Sequence, residues 1–292
     1  MPESVACGDG KRYCSKIGLL WAWGRAPRLK TSTLISWILL FILGLPQFGL
    51  AESLKRLKVL APEIPGAAEP SLKGRDIELV LATFNECGFD ARFVFQPFER
   101  HARTYRERED FDAIMTVPLH WRLPGYSTSA YIWYQNGAFY NYSRIGPVER
   151  INDLAGLDVL TFRQGVDVLG ISGNVSEFAS LTEIADQTIH SRLLFMGRAD
   201  AILADGFVVA EVNRRIFREK RRGESWPSQM DTFRFAPIFN PAPHKMVFRD
   251  RERATAFDQC FDDLRQSEVI ADINQRYIDK YQNVLRFRYL GR

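Results

Sequence analysis

The chain has 292 residues, 39 Lys and Arg against 35 Asp and Glu, a formal net charge of +4 and 46% hydrophobic residues. The basic surplus is local: the first 51 residues hold six basic and two acidic side chains, which leaves 33 of each sign, and no net charge, over residues 52–292. That balance removes the electrostatic footprint on which nucleic-acid binding depends, and the four scattered histidines form no Cys/His cluster at zinc-ligand spacing, so no metal and no cofactor is expected.

At the N-terminus Arg25, Arg28 and Lys30 precede the apolar run Leu34–Leu45, Pro46 breaks it, and Gly49-Leu50-Ala51 supplies small residues at the −3 and −1 positions. This is the pattern of a secretory signal cut after Ala51. The run is shorter than the ~20 residues of an ordinary membrane span; an uncleaved anchor is the other reading, and either places the remaining chain outside the cytoplasm, in the periplasm. Residues 1–24 exceed a normal basic leader region, which leaves the true start codon open. The remainder is long enough for two modest domains. It keeps Cys87 and Cys260, which an oxidising compartment permits to pair and which can equally be two buried thiols.

Leu57–Ala61 reads as a short buried strand stopped by Pro62, Pro65 and Gly66. Ile77, Val80, Leu81 and Phe84 fall at helical spacing between Arg75 and Cys87, with Gly88 at the left-handed cap position. Ala91–Phe95 alternates as a second strand, completing a strand-helix-strand unit of a parallel sheet. Phe98–Glu109 is a predicted helix, Phe111–Met115 a strand, Thr116–Gly125 a turn, and the aromatic stretch Tyr131–Tyr142 extended chain passing from one domain to the next. A new unit follows: strand Asp158–Phe162, the turn Arg163-Gln164-Gly165 opening a helix, strand Asp200–Ala204, and a helix from Phe207 to Arg218. The basic run Arg214–Arg222 is the solvated end of that helix, a docking surface being the alternative. Pro237–Pro243 is an extended connection, Lys245–Phe248 a strand, and helices over Glu252–Arg265 and Glu268–Tyr281 close the pattern without internal repeats.

Four short motifs, in this order and spacing, carry a family resemblance. They are Phe111-Asp112-Ala113-Ile114 followed by Trp121-Arg122 and Tyr126-Ser127; Asn152-Asp153-Leu154-Ala155-Gly156; Gly197-Arg198-Ala199-Asp200 running on to Asp205; and Val269-Ile270-Ala271-Asp272 running on to Tyr277. Through them the chain resembles the bacterial extracellular solute-binding proteins of family 3, the group that includes the amino-acid receptors of ABC transporters. The resemblance implies an α/β type II periplasmic-binding-protein fold, two lobes joined by a two-strand hinge. Lobe 1 is expected at residues 52–138 and 242–292 and lobe 2 at residues 139–241. It further implies a monomer that is no enzyme, that closes over a small solute such as an amino acid or related carboxylate, and that hands it to an ABC permease or a membrane receptor.

Arg122 is then the candidate cation for a ligand carboxylate, a guanidinium gripping it through two parallel hydrogen bonds. Asp205 is the candidate acceptor of a ligand amine, although an acid at that strand end can equally cap the following helix. Gly165 and Val166 offer backbone N–H groups where a strand turns into a helix, Arg163 adds a cation in the same turn, Thr116 a donor, and Tyr131, Trp133 and Tyr134 flat apolar walls. Near Pro62–Pro70 family members place an aromatic platform, where this chain has Glu63 and prolines. Gln96-Pro97-Phe98-Glu99-Arg100 resembles a divergent branch of the family. Two other functions compete: a sensory module presenting ligand to a receptor, and an exported dehydratase of cyclic acids with Glu63, Glu99 or His120 as proton donor. No Ser or Cys lies in a nucleophile-elbow motif.

Overall fold

Val59 and Ala61 face one core and Leu60 another, the alternation of a strand buried on both faces. The computed structural model containing this strand, β1 (Leu57–Glu63), describes residues 56–219, 232–285 and 288–291, and the predicted export signal lies outside them. Helix α1 (Arg75–Glu86) buries Ile77, Leu79, Val80 and Phe84 and returns the chain to β2 (Ala91–Pro97), which pairs parallel with β1. Helix α2 (Arg100–Glu107) leads to β3 (Ala113–Pro118), parallel to β1 on its other side. The predicted start of α2 at Phe98 moves to Arg100 because Glu99 turns with φ 72° after Pro97.

The predicted extended stretch Tyr131–Tyr142 resolves into parts of two strands with different partners. Strand β4 (Tyr126–Tyr134) belongs to the first sheet and β5 (Asn136–Asn141) to the second, so the chain changes sheets at Gln135, ahead of the predicted limit at residue 138. After the one-turn helix α3 (Tyr142–Ile145) come β6 (Asp158–Phe162), the short helix α4 (Gly165–Val168), β7 (Ser180–Ile184), α5 (Gln187–Phe195) and β8 (Ala201–Asp205). Helix α6 (Gly206–Arg218) and β9 (Phe233–Ala236) complete the second sheet, in the order β7-β6-β8-β5-β9. Strand β10 (Ala242–Phe248) returns to the first sheet, whose order is β2-β1-β3-β10-β4, and α7 (Arg251–Gln266) and α8 (Val269–Asp279) pack beside α1.

Each sheet is filled on both faces. In the second sheet Ala138, Tyr140, Val159 and Leu203 point one way and Phe139, Leu160, Ile202 and Ala204 the other. The latter set joins the core of the first sheet in one continuous cluster. The C-terminal segment departs from the expectation that it stays with the first lobe: α9 (Gln282–Leu285) rests on α6 and β9 of the second. Buried Leu285 and Tyr289 supply the reason, since both find apolar cover there rather than on α8. A disulfide joins Cys87, just past α1, to Cys260 in α7, so the pairing alternative holds. Of the basic run, Arg214 and Arg215 both bind Glu211, and Arg215 also binds Glu69 across the lobes; residues 220–222 lie outside the described residues.

Candidate functional site

Between the two sheets lies a buried charged cluster that begins at the first turn of α1. Gly74 has φ 121°, and a Cβ there would stand 2.3 Å from the Ala67 carbonyl oxygen, so only glycine lets the preceding loop lie against the helix start. The turn carries Arg75 and Asp76 inward, both 0% exposed. Arg75 Nη1 donates to the Tyr289 hydroxyl at 2.9 Å, its Nε stands 3.5 Å from Asp76 Oδ1, and its guanidinium lies over Tyr134 and Phe207. Asp76 Oδ2 accepts from Thr116 Oγ1 at 3.0 Å and from the Tyr134 hydroxyl. The Tyr289 hydroxyl donates in turn to Asp205 Oδ2 at 2.9 Å, so the chain Asp76-Arg75-Tyr289-Asp205 runs from one lobe to the other.

Burial dominates the protonation of these groups. It raises the Asp205 carboxyl to about 6, against the pull of Arg75 in the opposite direction, and it raises Asp76 as well. Burial also opposes the Arg75 charge, but Tyr289, Asp76, Tyr134 and Asp205 outweigh it and the guanidinium stays charged.

The predicted site residues do not converge on an empty pocket. Asp205 caps α6: Oδ1 accepts from Val208 N at 3.0 Å and Oδ2 from Gln135 N at 2.8 Å, besides Tyr289. The amides of the glycine turn are also engaged, since Gln164 N and Val166 N donate to the two carboxylate oxygens of Glu183 at 3.1 and 3.0 Å. Gly165 is there for space, as a Cβ would meet Thr161 Oγ1 at 2.2 Å. Thr116 is fully buried, bonded to Asp76 and Tyr131, and Tyr131 turns its ring to Phe257 and Phe261 of α7. Arg122 and Arg163 are exposed and Trp133 is 43% exposed; Arg163 lines a cavity described below.

A small cavity of about 40 Å³ lies between the lobes. The first lobe contributes Ile64, Phe98, Tyr134 and His244 to its wall, and the second contributes Asn136, Phe162, Val168, Gln187, Asp205 and Val208. It adjoins a larger cavity of about 390 Å³ that shares Ile64, Phe98, Phe162 and Gln187 and is rimmed by Glu63, Glu69, Asp186, Arg163 and Arg215. Contacts across the lobes shut the mouth. Phe98 and Phe162 meet edge to face at 6.0 Å, and Trp121 Nε1 donates to Asp167 Oδ2 at 3.0 Å, with His120 Nε2 3.5 Å from the same oxygen. Of the cavity residues, sequence reasoning singled out Asp205, considered Tyr134 as a wall and noticed Phe98 only as part of a motif. Asn136 and His244 sat inside segments read as connections, a place where a binding residue is common.

No protein-family model matches this sequence, nor does any curated protein sequence. Solved structures are similar in fold. The GluR0 ligand-binding core in complex with L-glutamate has a TM-score of 0.61 at 16% identity, covering 77% of this chain and 99% of that one. The arginine-, lysine-, histidine-binding protein ArtJ from Geobacillus stearothermophilus has a TM-score of 0.59 at 14% identity, covering 79% and 99%. A histidine kinase sensor domain with similarity to periplasmic binding proteins has a TM-score of 0.58 at 16% identity, covering 76% and 96%. The chain has the two-lobed α/β fold of periplasmic solute-binding proteins, as the sequence motifs implied.

Proposed function

We propose that the protein is exported and captures a small solute in the cavity between its lobes, delivering it to an ABC-type permease. The observation that carries this reading is a pair of adjoining cavities walled by both lobes and bordered by contacts that exist only when the lobes meet, Phe98 with Phe162 and Trp121 with Asp167. The adjoining cavity, near 390 Å³, falls within the ~300–1,000 Å³ of small-molecule sites. Two extended crossings, at Gln135 and between Ala236 and Ala242, are the kind of hinge about which lobes rotate. The buried Arg75 cluster stabilises the cleft floor in this reading, and the monomer is the working unit.

A sensory role, presenting the loaded lobes to a membrane receptor, is the second reading, supported by the similarity to a kinase sensor domain. Native mass spectrometry of protein purified without denaturation, followed by small-angle scattering before and after solute removal, tests solute capture. The expected result is a retained small molecule whose removal enlarges the radius of gyration. A protein that carries nothing and keeps one shape with every solute offered counts against it. Genes beside this one separate the two readings: a permease and ATPase for transport, a receptor or cyclase for sensing.

A further inference from the structure

The chain passes from lobe to lobe a third time near its C-terminus. Helix α8 ends at Asp279 on the first lobe, where it packs beside α1 and α7, and α9 begins at Gln282 on α6 and β9 of the second. Only Lys280 and Tyr281 lie between them, a stretch that spans at most ~7 Å. The other two crossings lie side by side, since Gln135 Nε2 donates to the Phe239 carbonyl oxygen at 2.6 Å. A pair of adjacent extended strands leaves two lobes free to swing. The third crossing makes its contacts away from that pair. Lys280 Nζ is 3.4 Å from Glu211 Oε2, and Glu211 lies about 9 Å of helix along α6 from Asp205, whose carboxylate accepts from Gln135 N.

Resting on the reading that the lobes part to exchange solute, we propose that this C-terminal stretch is a strap that limits how far they part. A tether set off from a hinge must stretch or detach before the hinge can turn widely. Two residues hold no slack, so wide opening requires α9 and Tyr289 to leave the second lobe. Leu285 and Tyr289 are buried there, and Tyr281 packs edge to face on Phe207 at 5.2 Å. The Tyr289 hydroxyl accepts from Arg75 of the first lobe and donates to Asp205 of the second, so strap and both lobes meet at one oxygen. Separating Arg75 from Asp205 breaks one of those two bonds and leaves a charged group without a partner, which makes release of the strap costly.

Small-angle scattering and hydrogen exchange, on protein produced from the full chain and stripped of solute, test the strap with two variants. Tyr289→Phe removes the hydroxyl and keeps the ring; Lys280→Ala removes the half-exposed tie to Glu211. Melting temperatures check that both variants fold. Each is expected to have a larger radius of gyration than stripped wild type, and peptides covering α9 and Tyr289 are expected to exchange about tenfold faster in Tyr289→Phe, the worth of the hydroxyl's bonds. Variants that match wild type in size and exchange overturn the strap. Faster exchange at an unchanged radius overturns it as well, because the segment then frays without holding the lobes. The cleft reading is judged apart from either result, by whether the purified wild-type protein carries a solute.

Discussion

Arg75 is a charge with no solvent, held by a hydroxyl, a carboxylate and three aromatic faces. Removing one member of such a set leaves the others buried and uncompensated, which is worse than never having built it. Arg75→Met is therefore expected to destabilise the protein by roughly 3–5 kcal/mol in urea unfolding, and Tyr289→Phe, which strips a donor from Asp205 and an acceptor from Arg75, by about 1–3 kcal/mol. Titration of the buried histidines sets the pH response. Burial lowers His101 to about 3 and His244 to about 4 from 6.5, so the unfolded chain takes up their protons first and stability falls as pH drops below 6.5. Asp205, raised to about 6, acts in the opposite sense between 6 and 3.8, as do the raised carboxyls of Asp76 and Asp258. His190, also lowered by burial, adds to the effect of the other two histidines. The melting temperature should thus fall from pH 7 to pH 5, and His244→Gln should flatten the slope by up to ~1.4 kcal/mol per pH unit. Sequence alone marked Asp205 as both ligand group and cap, and the cap is what its geometry displays. It passed over Arg75 and Asp76 because charges in a first helical turn read as solvated; nothing local reveals that Tyr289, 214 residues away, will cover them.

At the scale of elements, those with strong periodicity were legible. Helix α1, strands β1 and β6 and helix α6 lie where apolar spacing put them, within a residue or two at their ends. The missed strands have physical excuses. Strand β7 is a sheet edge with no fully buried residue, and β9 has four residues, so neither builds the alternation that sequence reading needs. Missing β7 hid Glu183, and with it the fact that the glycine turn already holds an anion. The covalent tie between α1 and α7 predicts a measurable loss: reducing Cys87–Cys260 should lower unfolding free energy by roughly 2–4 kcal/mol. A Cys87→Ser, Cys260→Ser double variant should show the same loss and no further response to reductant.

For the whole molecule, the two-lobed order was readable from four motifs in sequence, whereas the route of the C-terminus was not, because α9 and Tyr289 cross to the second lobe on only two buried side chains. The lobes are thus held from behind by α9, Tyr289 and the Glu69–Arg215–Glu211 network, and meet in front through Trp121 and Asp167. The rear links are buried or shared among several charges, and the front polar link is the single half-exposed carboxylate of Asp167, reached by Trp121 and His120. Opening should therefore begin at the front. Asp167→Ala is expected to speed solute release up to about tenfold, the worth of one such bond, with Trp121 fluorescence in stopped flow as the readout. An unchanged release rate would mean that Phe98 against Phe162 alone keeps the mouth shut.

The disulfide also brackets the second lobe: its cysteines are 173 residues apart, and the whole of β5 to β9 lies between them. The bond cannot form until synthesis has passed Cys260, so a chain interrupted anywhere in the second lobe keeps Cys87 as a thiol. Free thiol at residue 87 becomes a chemical label for unfinished molecules, and its loss marks the docking of α7 beside α1, after the whole of the second sheet has been made.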